Sequence, residues 1–247
     1  MTPAMTVRGP GPFGPGPSTS ALRTSDSRTS DRPNPHAKVV RLSLPIDAVV
    51  ALFVVLIVSL SVHEAAHAWT ADRLGDPTAR MLGRLTVNPV KHIDIIGTIV
   101  FPLLAIVSGL PILGWAKPVP VNPNNLREPR RDFAVVAVAG PVSNLLLAML
   151  AAVVLKVMIA GGAGPSFSLM VVSRAVTTNV LLAVFNLLPV PPLDGGNVLA
   201  GIVPESAARV IDWLRPYGFI ILYALILTGI LGDVVYPIQQ EISRWLV

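Results

Sequence analysis

Apolar residues gather into long runs, parted by short connections rich in proline, glycine and charge. From Ile46 to Val62 the chain is almost wholly Ala, Val, Leu, Ile and Phe, interrupted by Asp47, Ser59 and Ser61, and the helical pattern continues to about Thr70. About 20 such residues, rising about 1.5 Å each, cross a bilayer core. The pattern returns at Phe133–Ala160, at about Ser168 to Val190, and at about Tyr217 to Tyr236. A further apolar stretch, Ile95 to Gly114, is broken by Pro102, Gly109 and Pro111. Between Arg80 and Pro89 a weak alternation of apolar and polar residues reads as a plain structured loop or as a small strand pair, which could add an extended substrate as a further strand. The expected fold is an all-α polytopic membrane protein: about four transmembrane helices, a re-entrant or broken apolar hairpin and that strand pair.

Composition agrees with the membrane class. Of 247 residues, 52% are hydrophobic and 13% charged, and the mean hydropathy is +0.65; soluble domains carry about 25% charged residues. Residues 1–42, with runs such as Gly9-Pro10-Gly11-Pro12, read as a disordered Pro/Gly/Ser-rich tail, residues 43–236 as the membrane domain, and residues 237–247 as a short C-terminal tail. The net charge of +5 fits basic loops against anionic lipid, so the expected partners are the bilayer and no nucleic acid.

The chemistry concentrates where the first apolar run ends, in Ser61-Val62-His63-Glu64-Ala65-Ala66-His67. Residues four apart share a helix face, so His63 and His67 can grip one metal ion with Glu64 beside it. The chain has no cysteine, which leaves His, Asp and Glu as ligands. A catalytic zinc takes three protein ligands and an open position. Asp194 is the best third ligand. It ends an apolar run, where a lone carboxylate is costly, and Pro191, Pro192, Gly195 and Gly196 around it let the backbone turn. Glu64 would take a proton from water and return it to the leaving amine.

Parity constrains topology. If His67 and Asp194 meet, the hairpin of the second and third runs places Phe133 on their side too, so Ile95–Gly114 must enter and leave by one face. Arg73, Arg80, Arg84, Lys91, Lys117, Arg127, Arg130, Arg131, Arg209 and Arg215 fall on that side. Apart from the N-terminal tail, only Lys156, Arg174 and Arg244 fall opposite, which points to a cytoplasmic site.

His63-Glu64-Ala65-Ala66-His67, taken with Asn186-Leu187-Leu188-Pro189 through Leu193-Asp194-Gly195-Gly196 and with Gly140-Pro141-Val142-Ser143-Asn144, resembles the site-2 protease family of intramembrane zinc metalloproteases. Gly114-Trp115-Ala116-Lys117-Pro118 and Asn88-Pro89 with His92-Ile93-Asp94 resemble its compact subgroup, so no PDZ or CBS module is expected. The resemblance spans residues 46–236. It implies one zinc per chain on His63, His67 and Asp194, Glu64 as catalytic acid/base, and regulated cleavage of transmembrane protein substrates near the cytoplasmic leaflet, in the cell membrane. Asn144 and Asn186 match family asparagines that bind substrate or support the site; interhelical hydrogen bonding is the other reading of both. Many members carry His or Arg after the second glycine, where this chain has Asn197. His92 reads as a loop or supporting histidine. The alternative to a protease is a multispan protein with a structural or transported zinc.

Overall fold

A stripe at every fourth position organises the first helix. The computed structural model describes residues 45–108 and 116–247, and these fall within one unit, Arg41–Val247. Helix α1, Ile46–Arg73, buries Ala51, Val55, Ser59, His63, His67 and Ala71. Positions i and i+4 stack on one face, so small side chains above and below the histidines let another helix come close.

After α1 the chain turns at Gly75, whose φ of +113° favours glycine. Helix α2, Thr78–Met81, follows, and Gly83 turns the chain again at φ +64°. Among the described residues there is no strand, so the strand pair expected over Arg80–Pro89 does not form. Local hydrogen bonds take the backbone instead. The Asp76 carboxylate accepts from Thr78 N, and the Asn88 side chain accepts from Val90 N to start a 3-10 turn at Pro89–Lys91.

The Asp94 side chain accepts from Gly97 N and opens a π-helical turn, Ile95–Val100, which leads into α3, Phe101–Ser108. The described part of this apolar segment, 95–108, is shorter than a span. The turn expected near Gly109 and Pro111 lies outside the described residues. Its two flanks nevertheless meet. Lys117 N donates to the His92 carbonyl at 2.9 Å, and Asp76 accepts from Asn122 N at 2.7 Å and from Asn125 Nδ2 at 2.9 Å.

Helix α4, Pro129–Ala160, starts with proline at its first position, and the Asp132 carboxylate accepts from Glu128 N. Gly162, with φ +79°, turns the chain into α5, Phe167–Asn186, which Ser166 caps through Leu169 N. Buried Ala148, Ala152, Leu155, Val176, Val180 and Val184 join α4 to α5. Beyond a turn come α6, Asp194–Ile202, α7, Glu205–Leu214, α8, Gly218–Leu227, and α9, Ile230–Leu246.

Four stretches are long and apolar enough to cross a membrane: Ile46–Arg73, Pro129–Ala160, Phe167–Asn186 and Glu205–Leu227. The last differs from the expected Tyr217–Tyr236. Helical structure begins earlier, and Gly229 at φ +80° breaks it after Leu227. Residues 237–246 belong to α9, whose Val235, Ile242 and Leu246 pack on the α4–α5 core.

Asp76 clasps the loop after α1 to the loop before α4. Burial alone would raise its pKa, but donors from Thr78, Asn125 and Asn122 outweigh burial and hold it below the ordinary carboxylate value. A pKa lowered by folding means stabilisation that is complete above about pH 4 and lost as pH falls through the folded value. Asp76→Ala is expected to cost about 1.5–3 kcal/mol at pH 7. Thermal unfolding of the detergent-solubilised protein should show the gap from wild type closing below about pH 4.

Candidate active site

Three donor atoms converge from α1 and from the first turn of α6. His63 Nε2 and His67 Nε2 stand 3.0 Å apart, and Asp194 Oδ2 lies 3.1 Å from the first and 3.3 Å from the second. Both histidines are buried. Each ring is held from behind by an acceptor: His63 Nδ1 donates to Asn144 Oδ1 at 2.6 Å, and His67 Nδ1 donates to the Val136 carbonyl at 2.7 Å. A proton on each Nδ1 leaves a lone pair on each Nε2. The Asp194 Oδ2 atom is buried without a hydrogen-bond partner.

Three lone pairs facing one another across about 3 Å repel unless a cation lies among them. Donors about 2.0–2.1 Å from a tetrahedral zinc stand about 3.3–3.4 Å apart. The observed spacings are close to that, so these residues fit a zinc ion with a fourth position open.

The elements explain the convergence. α4 meets α1 at Gly140, where an added Cβ would lie 2.4 Å from His67 Nε2 and 2.5 Å from His63 Cε1. Only a hydrogen fits there. Pro141, one residue on, has no N–H to give the Ala137 carbonyl and loosens the helix beside the Val136 carbonyl that His67 uses. Asp194 arrives on the first turn of α6. Gly195 and Gly196 permit this, because a Cβ on either would strike backbone of residues 187–191. Asp194 also sits at a helix N-terminus, where a negative charge is favoured.

Glu64, about 100° around the helix from His63, leaves that face. Its Oε2 accepts from Val119 N at 2.8 Å. It borders a cavity of about 510 Å³ shared with His63, His67, Asp194, Asn186 and Asn197 and walled by Phe101, Phe185, Phe219 and Tyr223. The Val119 segment is fixed from behind by Arg84, whose guanidinium donates to the Lys117 carbonyl at 2.6 Å.

The two asparagines separate. Asn144 is fully buried and contacts His63, while Asn186 borders the cavity and gives its amide N–H to the Leu182 carbonyl. His92 is a loop histidine whose Nε2 donates to the Thr86 carbonyl. Sequence reasoning missed Gly140 as a contact surface, the Val136 carbonyl, the Val119 N–H and Asn179, which accepts from Asn144 Nδ2 at 2.9 Å. Gly140 could have been found, since it lies one turn before Asn144 on the same face. Val119 carried no signal.

The profile of peptidase family M50 matches residues 156–226. A Bacillus subtilis protein named as a zinc metalloprotease, YwhC, is 40% identical over 201 residues, covering 79% of this chain and 89% of the relative. The chain belongs to the site-2 protease family, peptidase family M50. A Mycolicibacterium smegmatis protein named as zinc metalloprotease Rip2 is 30% identical over 190 residues, 74% of this chain and 70% of its own length. Rip2 of Mycobacterium tuberculosis is 30% identical over 179 residues, 71% and 66% of the two chains. No solved structure matches the chain. As a site-2 protease it is a zinc metalloprotease, and of the two sequence readings the family selects the enzyme.

Gly140→Ala tests the close approach of α4. The methyl would push both imidazoles off their common point, and zinc affinity should fall about 100-fold or more, measured by chelator competition on the solubilised protein, with unchanged elution on gel filtration.

Proposed function

We propose that this site-2 protease is an intramembrane endopeptidase, cutting transmembrane protein substrates near the cytoplasmic leaflet of the cell membrane. The observation that carries the reading is the trio His63, His67 and Asp194, with both histidine tautomers pinned, beside a half-buried Glu64 in an apolar-walled cavity. One zinc per chain would be held by these three residues. Bound there, it would supply a Lewis acid that makes water a nucleophile near neutral pH.

Glu64 acts as the acid/base. With Oε2 tied to Val119 N–H, the carboxylate keeps a fixed orientation, and its other oxygen takes a proton from the attacking water and delivers it to the leaving amine. Asn186 faces the same cavity and is the residue placed to hold substrate backbone. The aromatic walls suit an unwound apolar segment and limit water around the reacting peptide. Basic residues on the connection between α1 and α4, among them Arg80, Arg84, Lys91, Lys117 and Arg127, support a cytoplasmic orientation.

Glu64→Gln should keep zinc and lose about 10²–10⁴ of the cleavage rate, whereas His67→Leu should lose both. Co-expression with single-span substrates and parallel metal analysis reads both; cleavage by the Gln variant at the wild-type rate would refute the mechanism. Because the chain has no cysteine, topology can be mapped cleanly. Leu82→Cys and Arg127→Cys should label from the cytoplasm and Gly164→Cys from the other face. Labelling of Leu82 and Arg127 positions from opposite faces would refute the one-sided entry of residues 95–114.

A further inference from the structure

Asn179 lies on α5, away from the cavity and 2% exposed. Its amide has one orientation available. Nδ2 donates to the Ala175 carbonyl of its own helix at 2.8 Å, so Oδ1 faces α4 and accepts from Asn144 Nδ2 at 2.9 Å. Asn144 in turn presents Oδ1 to His63 Nδ1 at 2.6 Å. The donors run in one direction across three helices: from His63 to Asn144, from Asn144 to Asn179, and from Asn179 to a backbone carbonyl that can only accept.

Reversing Asn144 would face its oxygen toward the Asn179 oxygen and its NH2 toward His63 Nδ1. The His63 proton would then move to Nε2, which is 3.1 Å from the unpartnered Asp194 Oδ2. An ordinary His–Asp hydrogen bond would form there and occupy two of the three lone pairs a metal needs. The site thus has two self-consistent proton arrangements, one open to a cation and one closed on itself. The Ser59 carbonyl, 3.4 Å from Asn144 Nδ2, favours the open arrangement more weakly than Asn179 does at 2.9 Å.

We propose that Asn179 is a positioning residue that, through Asn144, holds His63 in the tautomer able to bind metal and prevents His63 and Asp194 from closing on each other. The inference rests on the reading of His63, His67 and Asp194 as the zinc site. It assigns to α5, which supplies none of the three metal donors, control over whether α1 can bind metal. Interhelical amides inside a membrane also serve helix association through hydrogen bonds, and the two roles differ in what they predict for metal affinity.

The test is zinc affinity of the full, detergent-solubilised chain by chelator competition, with cobalt absorption spectra as a second readout. Asn144→Leu should weaken zinc binding about 10- to 100-fold, and Asn179→Leu about 10-fold. The double variant should bind like Asn144→Leu alone, within about 2-fold, because both act through one chain of hydrogen bonds. Asn179→Asp, which keeps the acceptor oxygen, should restore binding and the wild-type cobalt spectrum. Should Asn179→Leu not fold, Asn179→Ala compared with Asn179→Asp makes the same measurement. Additive losses in the double variant, or wild-type affinity in Asn179→Leu or Asn179→Ala, would overturn the proposal. His67→Leu separates the two levels: if it still takes up zinc as wild type does, the metal-site reading itself fails; if it does not while Asn179→Leu does, only the role of Asn179 fails.

Discussion

The mutual repulsion of three lone pairs held about 3 Å apart is the constraint on which the site depends. With the histidine protons on Nδ1, as the acceptors behind each ring require, the lone pairs of His63 Nε2, His67 Nε2 and Asp194 Oδ2 face one another. Left free, imidazoles rotate and a carboxylate turns toward a donor. Here each is prevented by something behind it: Asn144 and the Val136 carbonyl behind the rings, the α6 turn behind Asp194. Fold free energy keeps the donors together, and a divalent cation relieves the repulsion that results. Affinity for metal and strain in its absence are then two aspects of the same packing.

That packing needs small residues where α1 crosses α4. Gly140 on α4, with no side chain against the two imidazoles, brings the backbones near enough for the Val136 carbonyl to reach the His67 ring. In lipid there is little hydrophobic force between helices, so close backbone approach and hydrogen bonds carry the association. The polar groups of the site therefore hold the bundle as well as any ligand. Asn144, on α4, reaches two other helices, α1 through His63 and Ser59 and α5 through Asn179.

Much of this was legible because apolar runs of span length and a histidine pair four apart are periodic, local signals. Asp194 was reachable from cost: a carboxylate ending an apolar run requires a partner. Contacts made through the backbone were not legible. Nothing in Val119 announces that its N–H will reach Glu64, since every residue but proline offers that group. The Arg80–Pro89 alternation left loop and strand pair both open for a related reason. A strand requires a partner, and here Asp76 and Asn88 satisfy the local backbone first. The end of the last span was misplaced because hydropathy continues smoothly across Gly229, while the backbone there does not.

Glu64 and the histidines share one helix yet meet different surroundings, and the offset of about 100° per residue is the cause. The face bearing His63 and His67 looks into the bundle, where fixed amides and carbonyls dictate each proton. The adjacent face looks onto the cavity and the segment 116–121, anchored through Arg84 and His92 to loops outside the spans. A metal site gains from rigidity on every side. A proton carrier must instead reach both water and leaving amine, and a carboxylate tied by one oxygen keeps the other free to do so. Under the proposed mechanism these two demands fall on neighbouring residues of a single helix, and both are met without a hinge, because the partners of His63 and His67 lie inside the bundle and the partner of Glu64 lies on the segment before α4.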